Sequence, residues 1–301
     1  MGFFIDELKG FLKLNDINYL VNEPMKNHTS FKIGGPADIF ITPGTKEKIK
    51  KSIDFCAISE IPYMIVGNGS NLLISDDGIR GAVIHIGSGL CKISVNNDII
   101  TCESGAKLSS LCQFAYEHSL SGLEFAYGIP GSVGGAVYMN AGAYGGEIKD
   151  VILSASYYDE KKGFCECLRN DMELSYRHSI FSEKNLCITE ASFLLHQASK
   201  DDIKEKMNEL MARRKEKQPL NLPSAGSTFK RPPGHYASAL IEQCGLKGSR
   251  IGGACVSEKH SGFVVNDGDA TCDDVKRLIE FIKQRVYKET GVMLECEVLM
   301  V

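Results

Sequence analysis

Tryptophan is absent from the 301-residue chain, and the marks of most specialised protein classes are absent with it. No apolar run approaches the roughly 18 residues of a membrane-spanning helix. The opening segment, MGFFIDELKGFLKLND, carries Asp6 and Glu7 inside its apolar stretch and lacks the layout of a signal peptide, so it reads as a short amphipathic helix. Basic residues are not in excess: 34 Lys and Arg against 38 Asp and Glu give a net charge of −4, which argues against a general nucleic-acid binder. The eleven cysteines show neither a zinc-ligand spacing nor a C-x-x-C redox motif, and only Cys165 and Cys167 lie close together, as C-x-C in a strand-like stretch. An odd number of cysteines in apolar contexts, such as Cys56, Cys112, Cys244 and Cys255, predicts buried free thiols in a reducing cytosol. A soluble, cytoplasmic protein without a metal is expected.

Apolar residues at 43% and charged residues at 24% are ordinary globular values, which leaves no room for a disordered chain or a coiled coil. The length suits two or three domains. Short β-like runs occupy Asp38–Thr42, Tyr63–Val66, Ala82–Ile86, Ile99–Glu103, Ile152–Tyr158 and Cys187–Leu195. Helical spacing appears in Thr45–Ser59 and Ala106–Ser119. The mixture lacks a regular βαβα alternation, so an α+β fold is expected rather than a doubly wound sheet. From Ser199 the texture changes. A helix capped by Ser199 runs to Pro219, a short one follows over His235–Cys244 with Gly245 as its stop, and Thr271–Thr290 carries a capping-box pair, Thr271 and Asp274. GFVVN (262–266) and LECEVLM (294–300) read as strands around that last helix. The predicted organisation is a lead-in over 1–30, a first domain over 31–198 and a compact α/β unit over 199–301. There is no internal repeat and no low-complexity tract.

Glycine is clustered. GNGSN (67–71) follows an apolar strand and offers backbone N–H groups unobstructed by side chains, with Ser70 and Asn71 adding hydrogen bonds. A tight pair of β-turns is the plainer reading of the same residues. Neither the dinucleotide fingerprint G-x-G-x-x-G nor the Walker pattern is present, so a phosphate-holding turn here is of another kind. GIPGSVGG (128–135) and the small residues after it form the second cluster. That density is costly in conformational entropy unless backbone must approach something closely. Read jointly, the clusters point to an extended nucleotide cofactor.

NHTSFKIGGPADIF (27–40), VGNGSNLL (66–73), GLEFAYGIPGSVGGAVYMNAGAYGGE (122–147), LSYRHSIF (174–181), SAGSTFKRPPGHYA (224–237) and LECEV (294–298) stand in the order found in UDP-N-acetylenolpyruvoylglucosamine reductases. From about residue 20 to the C-terminus the chain resembles that flavoenzyme family, in its shorter form. The resemblance implies a non-covalently FAD-binding domain of the vanillyl-alcohol-oxidase (PCMH) type over 31–198 and a substrate-binding domain over 199–301. It implies an NADPH-dependent oxidoreductase of peptidoglycan precursor synthesis, hence of cell-wall biogenesis, cell shape and cell division. NADPH reduces FAD, and the flavin N5 passes hydride to C3 of the enolpyruvyl ether of UDP-N-acetylglucosamine enolpyruvate. The charge left at C2 is stabilised and then protonated, giving UDP-N-acetylmuramate.

The resemblance assigns three catalytic residues. Ser227, in AGSTF, matches the proton donor to C2; a serine hydroxyl is a very weak acid, which suits a strongly basic, enolate-like carbon. Arg177, in SYRHS, matches the arginine that steadies the enolate through its carboxylate, where a planar fork of donors is apt. Glu297 matches the second residue credited with that intermediate, and Glu295, two residues earlier on the same strand face, is its near-decoy. The family usually has Pro where this chain has Cys296. For FAD, the resemblance names the turn Gly67, Asn68, Gly69, Ser70 and Asn71 and the loop residues Gly131, Ser132 and Gly134 at the pyrophosphate. Ile129, Pro130 and Tyr144 line the isoalloxazine or substrate, and Thr29, Ser30 and Gly35 lie nearby. His28 is not expected to link the flavin covalently.

Residues 211–231 hold six cations against Glu216 alone, a local balance of +5 suited to a polyanionic sugar nucleotide. Lys230, Arg231 and His235 are the candidates for its diphosphate. Arg213, Arg214, Lys215 and Lys217 read as a solvated helix face. Two other functions stay open at this level: an FAD-linked oxidase of a hydroxy acid or sugar, and a nucleotide-binding electron carrier. A carrier needs neither proton donor nor carboxylate clamp. No obligate protein partner is evident.

Overall fold

The computed structural model describes residues 2–301, with side chains from Ile5 onward. It divides into two units. The first joins the N-terminal segment through Val21 to Ile39–Asn68 and Gly81–Arg214; the second joins Asn22–Asp38, Gly69–Arg80 and Lys215–Val301. The units interleave along the chain, unlike the three consecutive segments read from sequence. The reason is hydrogen bonding between distant segments of the second unit. Ser30 Oγ donates to Ser224 O (2.6 Å), Asn71 Nδ2 donates to Glu297 O (3.1 Å), and the Asp76 carboxylate accepts from the N–H groups of Cys272 and Asp273 (2.9 and 3.2 Å).

The first unit holds a five-stranded antiparallel sheet, ordered Gly163–Leu168, Ile152–Asp159, Cys187–Leu194, Ile99–Glu103, Ile93–Asn96. Ala155 pairs with Ala191, which pairs in turn with Cys102, so one row of small residues crosses the central strands. That face is buried against the helices Leu108–Glu117 and Val133–Tyr138 through Leu108, Leu111, Cys112, Val133, Ala136 and Val137. Small residues in the sheet let the short second helix lie close, which places the glycine-rich loop before it. A four-stranded sheet, ordered Asn18–Pro24, Pro36–Thr42, Ile79–His85, Tyr63–Val66, supports the turn that begins at Gly67. Its last two strands are parallel, Tyr63 opposite Ala82. The helix Lys46–Ile58, capped by Thr45 Oγ1 on Lys48 N–H, covers it with Ile49, Ile53 and Cys56.

The second unit packs the helices Ala237–Gln243 and Cys272–Thr290 on a small antiparallel sheet of Arg250–Ile251, Ala254–Val256 and Val264–Asn266. The apolar stripe Val275, Leu278, Ile279, Ile282 and Val286 along the longer helix is fully buried. Each such side chain contributes about 1.5–3 kcal/mol, so this one helix anchors the unit. Its N-terminus is doubly served, by the Thr271–Asp274 capping box and by Asp76. LECEVLM is not a continuous strand: only Leu299–Met300 is, pairing in parallel with Leu72–Leu73, while Phe229 and Cys296 form an isolated bridge. Its partner there is the irregular segment 228–230, too short for a ladder. All eleven thiols are free, most of them buried. No helix among the described residues is long and apolar enough to cross a membrane.

Candidate functional site

The turn after Tyr63–Val66 requires glycine for two separate reasons. Gly69 has φ +59°, and a Cβ there would lie 2.0 Å from His28 O. Gly67 has an ordinary φ, but its Cβ would meet Ser132 Oγ at 2.4 Å. Gly67 and Ser132, one from each glycine cluster, are therefore neighbours within the first unit. Carbonyls of the turn are engaged, since Gly69 O accepts from Ser30 N–H and Asn71 O from Leu299 N–H (3.2 and 3.0 Å). Among the described residues, no backbone N–H from Gly67 to Asn71 donates to a protein group. Partly buried N–H groups without acceptors are unusual, and a run of them suits an anion.

The loop before Val133–Tyr138 behaves differently. Its glycines pack tightly, but much of its backbone is engaged: Val133 N–H bonds Ala106 O (2.8 Å), Gly134 N–H bonds Ser104 O (2.8 Å), and Gly135 N–H bonds the capping Ser132 Oγ (3.3 Å). Gly134 is glycine because its Cβ would stand 2.9 Å from Ser104 Cβ. Among the described residues, the N–H groups of Gly131 and Ser132 meet no acceptor. Ser104 Oγ, beside the loop, is buried and has no hydrogen-bond partner among the described residues. Ile129 is half-buried and Pro130 exposed.

Two candidates serve the chain's own structure. Thr29 Oγ1, 2% exposed, donates to Ile33 O (3.0 Å). Gly35 donates to Ser75 O (2.8 Å), accepts from Met25 N–H (2.9 Å), and has no room for a Cβ beside Asp76 O.

Arg214 corrects the reading of ARRKEK as a solvated face. The helix Lys200–Lys217, capped by Ser199 Oγ, presents Arg213 to solvent over the ring of Tyr144 (5.1 Å), itself exposed at φ +55°. Arg214 instead lies along Gly128, where the second glycine cluster begins and where a Cβ would meet its Cδ at 2.8 Å. Burial pushes its guanidinium below its usual pKa, with Tyr144 nearby, and no carboxylate pairs with it among the described residues. A desolvated cation without a counter-ion is costly unless an anion arrives.

Arg177 sits at the tip of a two-residue hairpin. Ser175 N–H donates to His178 O and His178 N–H to Ser175 O (both 3.2 Å), and Arg177 takes φ +56°. A left-handed arginine costs about 1–2 kcal/mol, so the hairpin must be held by its surroundings. Ser179 Oγ donates to Tyr138 O (2.6 Å), and the buried Asn140 donates to Ser175 O (2.9 Å). Arg177 also lies over the Tyr176 ring (5.3 Å).

In the second unit Thr228 ties three segments into one knot. Its N–H donates to Gly262 O, its Oγ1 accepts from Val264 N–H, and its carbonyl accepts from Glu297 N–H, all at 2.9 Å. That knot holds Ser227 and Glu297 on neighbouring segments. Among the described residues Ser227 Oγ engages no protein group, and Glu297 is half-buried. Glu295 is largely exposed and pairs with Lys230 (3.4 Å), so the two glutamates differ in surroundings despite their spacing. Arg231 stacks on Tyr236 (4.1 Å), and His235 is exposed.

Known proteins resemble this chain over most of its length. The model for the UDP-N-acetylenolpyruvoylglucosamine reductase C-terminal domain matches residues 218–301, and that for an FAD binding domain matches 37–166. The UDP-N-acetylenolpyruvoylglucosamine reductase of Clostridium botulinum (strain Hall) is 52% identical over 284 residues, 94% of this chain and 92% of that one. The protein of the same name from Caldanaerobacter subterraneus is 50% identical over 297 residues, 99% of this chain and 97% of that one. The crystal structure of UDP-N-acetylenolpyruvylglucosamine reductase from Thermus caldophilus superposes with a TM-score of 0.80 at 33% identity, covering 94% of this chain and 98% of that one.

Proposed function

Because the chain belongs to the UDP-N-acetylenolpyruvoylglucosamine reductase family and is an FAD-containing oxidoreductase, we propose that it reduces UDP-N-acetylglucosamine enolpyruvate to UDP-N-acetylmuramate. NADPH is the reductant, and the reaction belongs to peptidoglycan precursor synthesis in the cytoplasm. The observation that supports this chemistry best is the Thr228 knot: Glu297 N–H is bonded to Thr228 O, next in the chain to Ser227, whose hydroxyl engages no protein group among the described residues.

The residues present fit FAD. The unengaged N–H groups of Gly67–Asn71, with those of Gly131 and Ser132, are donors for a diphosphate, and Arg214 is a desolvated cation in need of an anion. Bound there, FAD supplies the hydride that reaches C3 of the enolpyruvyl group. The chain's own residues complete the addition. Arg177 meets the carboxylate and steadies charge developing at C2, with Glu297 as second support. Ser227 gives its proton to C2 and regains one from solvent, so that one hydride and one proton are added across the double bond. Half-buried Lys230 and exposed Arg231 and His235 are the donors for the uridine diphosphate.

Ser227→Ala tests the assignment. Reduction of the flavin by NADPH is expected to proceed at the parent's rate, while turnover of the enolpyruvyl substrate falls about 10²–10⁴-fold. Persistence of substrate turnover in the variant would remove Ser227 from this role.

A further inference from the structure

The hairpin bearing Arg177 is held by a side chain that no part of the proposed chemistry uses. Asn140 is 1% exposed and adopts φ +43°, a left-handed conformation that Asn tolerates better than most residues. One amide N–H donates to Ser175 O and the other to Glu147 Oε2, while Oδ1 accepts from Lys149 N–H, all at 2.9 Å. Every polar atom of the side chain is therefore engaged, in a place where an unmatched one would be expensive. Ser175 O also closes the hairpin by accepting from His178 N–H. Asn140 thus grips the carbonyl at the base of a strained two-residue turn. Glu147, its other acceptor, is bonded by Lys149 Nζ (2.7 Å) and lies near enough to Arg177 to feel its charge. No other amino acid offers two donors and one acceptor at this reach: Asp lacks the donors, and Gln is one methylene too long.

We infer that Asn140 is a positioning residue for Arg177, fixing the Ser175–His178 hairpin and the Glu147 carboxylate beside it so that the guanidinium is presented in one orientation. The inference rests on the reading of Arg177 as the group that meets the substrate carboxylate. Asn140 touches no reacting atom in this account. It acts through the backbone of the hairpin, where a displacement of about 1 Å can cost about 10²-fold in rate.

Asn140→Asp keeps the volume, the left-handed tolerance and the acceptor for Lys149, and removes both donors. The holoenzyme is reduced with dithionite without oxygen and mixed with UDP-N-acetylglucosamine enolpyruvate, and return of the visible flavin band is followed. N140D is expected to slow that return about tenfold or more. In an Arg177→Ala background the same change alters the rate less than about twofold, because its target is gone. FAD content, and binding of UDP-N-acetylglucosamine, which lacks the enolpyruvyl carboxylate, stay within about twofold of the parent. Since N140D sets two carboxylates together, N140D/E147Q is made in parallel. There the amide introduced by E147Q donates back to the carboxylate introduced by N140D, Ser175 O keeps His178 N–H but still lacks the side-chain donor, and the same slow return is expected. Parent rates in both variants, an equal loss with and without Arg177, or an equal loss of FAD and sugar-nucleotide binding would each overturn the inference. Parent rates in R177A alone would instead remove the reading of Arg177 beneath it, and the inference with it.

Discussion

Among the described residues, the five consecutive N–H groups from Gly67 to Asn71 find no protein acceptor, whereas over 131–135 three of five are bound, to Ala106 O, Ser104 O and Ser132 Oγ. The two segments are alike in composition and sit side by side at Gly67 and Ser132. The first uses glycine to bring unobstructed donors to a surface. The second uses it to let a helix lie against the sheet, through Gly134 and Ser104, and to carry Ser132 as the cap that Gly67 must clear. Glycine content alone does not distinguish a ligand cradle from close packing. The fate of each N–H does.

One methyl group added to each segment separates the two roles. In Gly67→Ala the new Cβ meets Ser132 Oγ, and FAD retention, measured by flavin fluorescence on dilution, is expected to weaken about tenfold or more. Removing the obstacle in G67A/S132A recovers part of that loss, at a capping cost of about 1 kcal/mol. Gly134→Ala meets Ser104 Cβ instead and lowers stability by about 1–2 kcal/mol in urea, with FAD affinity within about twofold of the parent. If G134A loses FAD and keeps its stability, the two segments do the same work and the distinction fails.

A smaller effect probes the end of the second cluster. The hydrogen bond from Lys149, aided by Asn140 and the charge of Arg177, holds the Glu147 carboxyl below its ordinary value against the opposing effect of burial. A carboxyl depressed in the folded state stabilises the protein fully above its unfolded pKa of about 4.3. That contribution fades as pH falls through the folded value. Melting temperatures between about pH 6 and pH 3.5 should therefore fall less steeply in Glu147→Gln than in the parent. Parallel curves would show that Glu147 contributes nothing to the pH dependence.

Sequence periodicity makes the long elements legible. The stripe on Cys272–Thr290 and its Thr271–Asp274 box lie within one segment, as do Ser199 and the helix it caps. The helix Val133–Tyr138 is hidden because two glycines open it, and glycine costs about 1 kcal/mol in a helix. Its helicity comes from packing on the sheet and from the Ser132 cap. LECEVLM has strand alternation but pairs only with short or irregular neighbours, so most of it forms no ladder. Asp76, which serves a helix nearly two hundred residues further on, has no local signal at all. The motif residues Ser227, Arg177 and Glu297 can be named through family resemblance. Arg214 looks like one more charge in a basic run until its packing on Gly128 is visible. Asn140 is one polar letter in a run of small residues, and its grip on Ser175 exists only in three dimensions.

A flavin that passes reducing equivalents to an enolpyruvyl sugar nucleotide leaves its trace in anaerobic absorbance. The purified protein should be yellow, NADPH should bleach its visible band, and UDP-N-acetylglucosamine enolpyruvate should restore it mole for mole without oxygen. A band that NADPH bleaches and only oxygen restores would contradict the account and point to an oxidase.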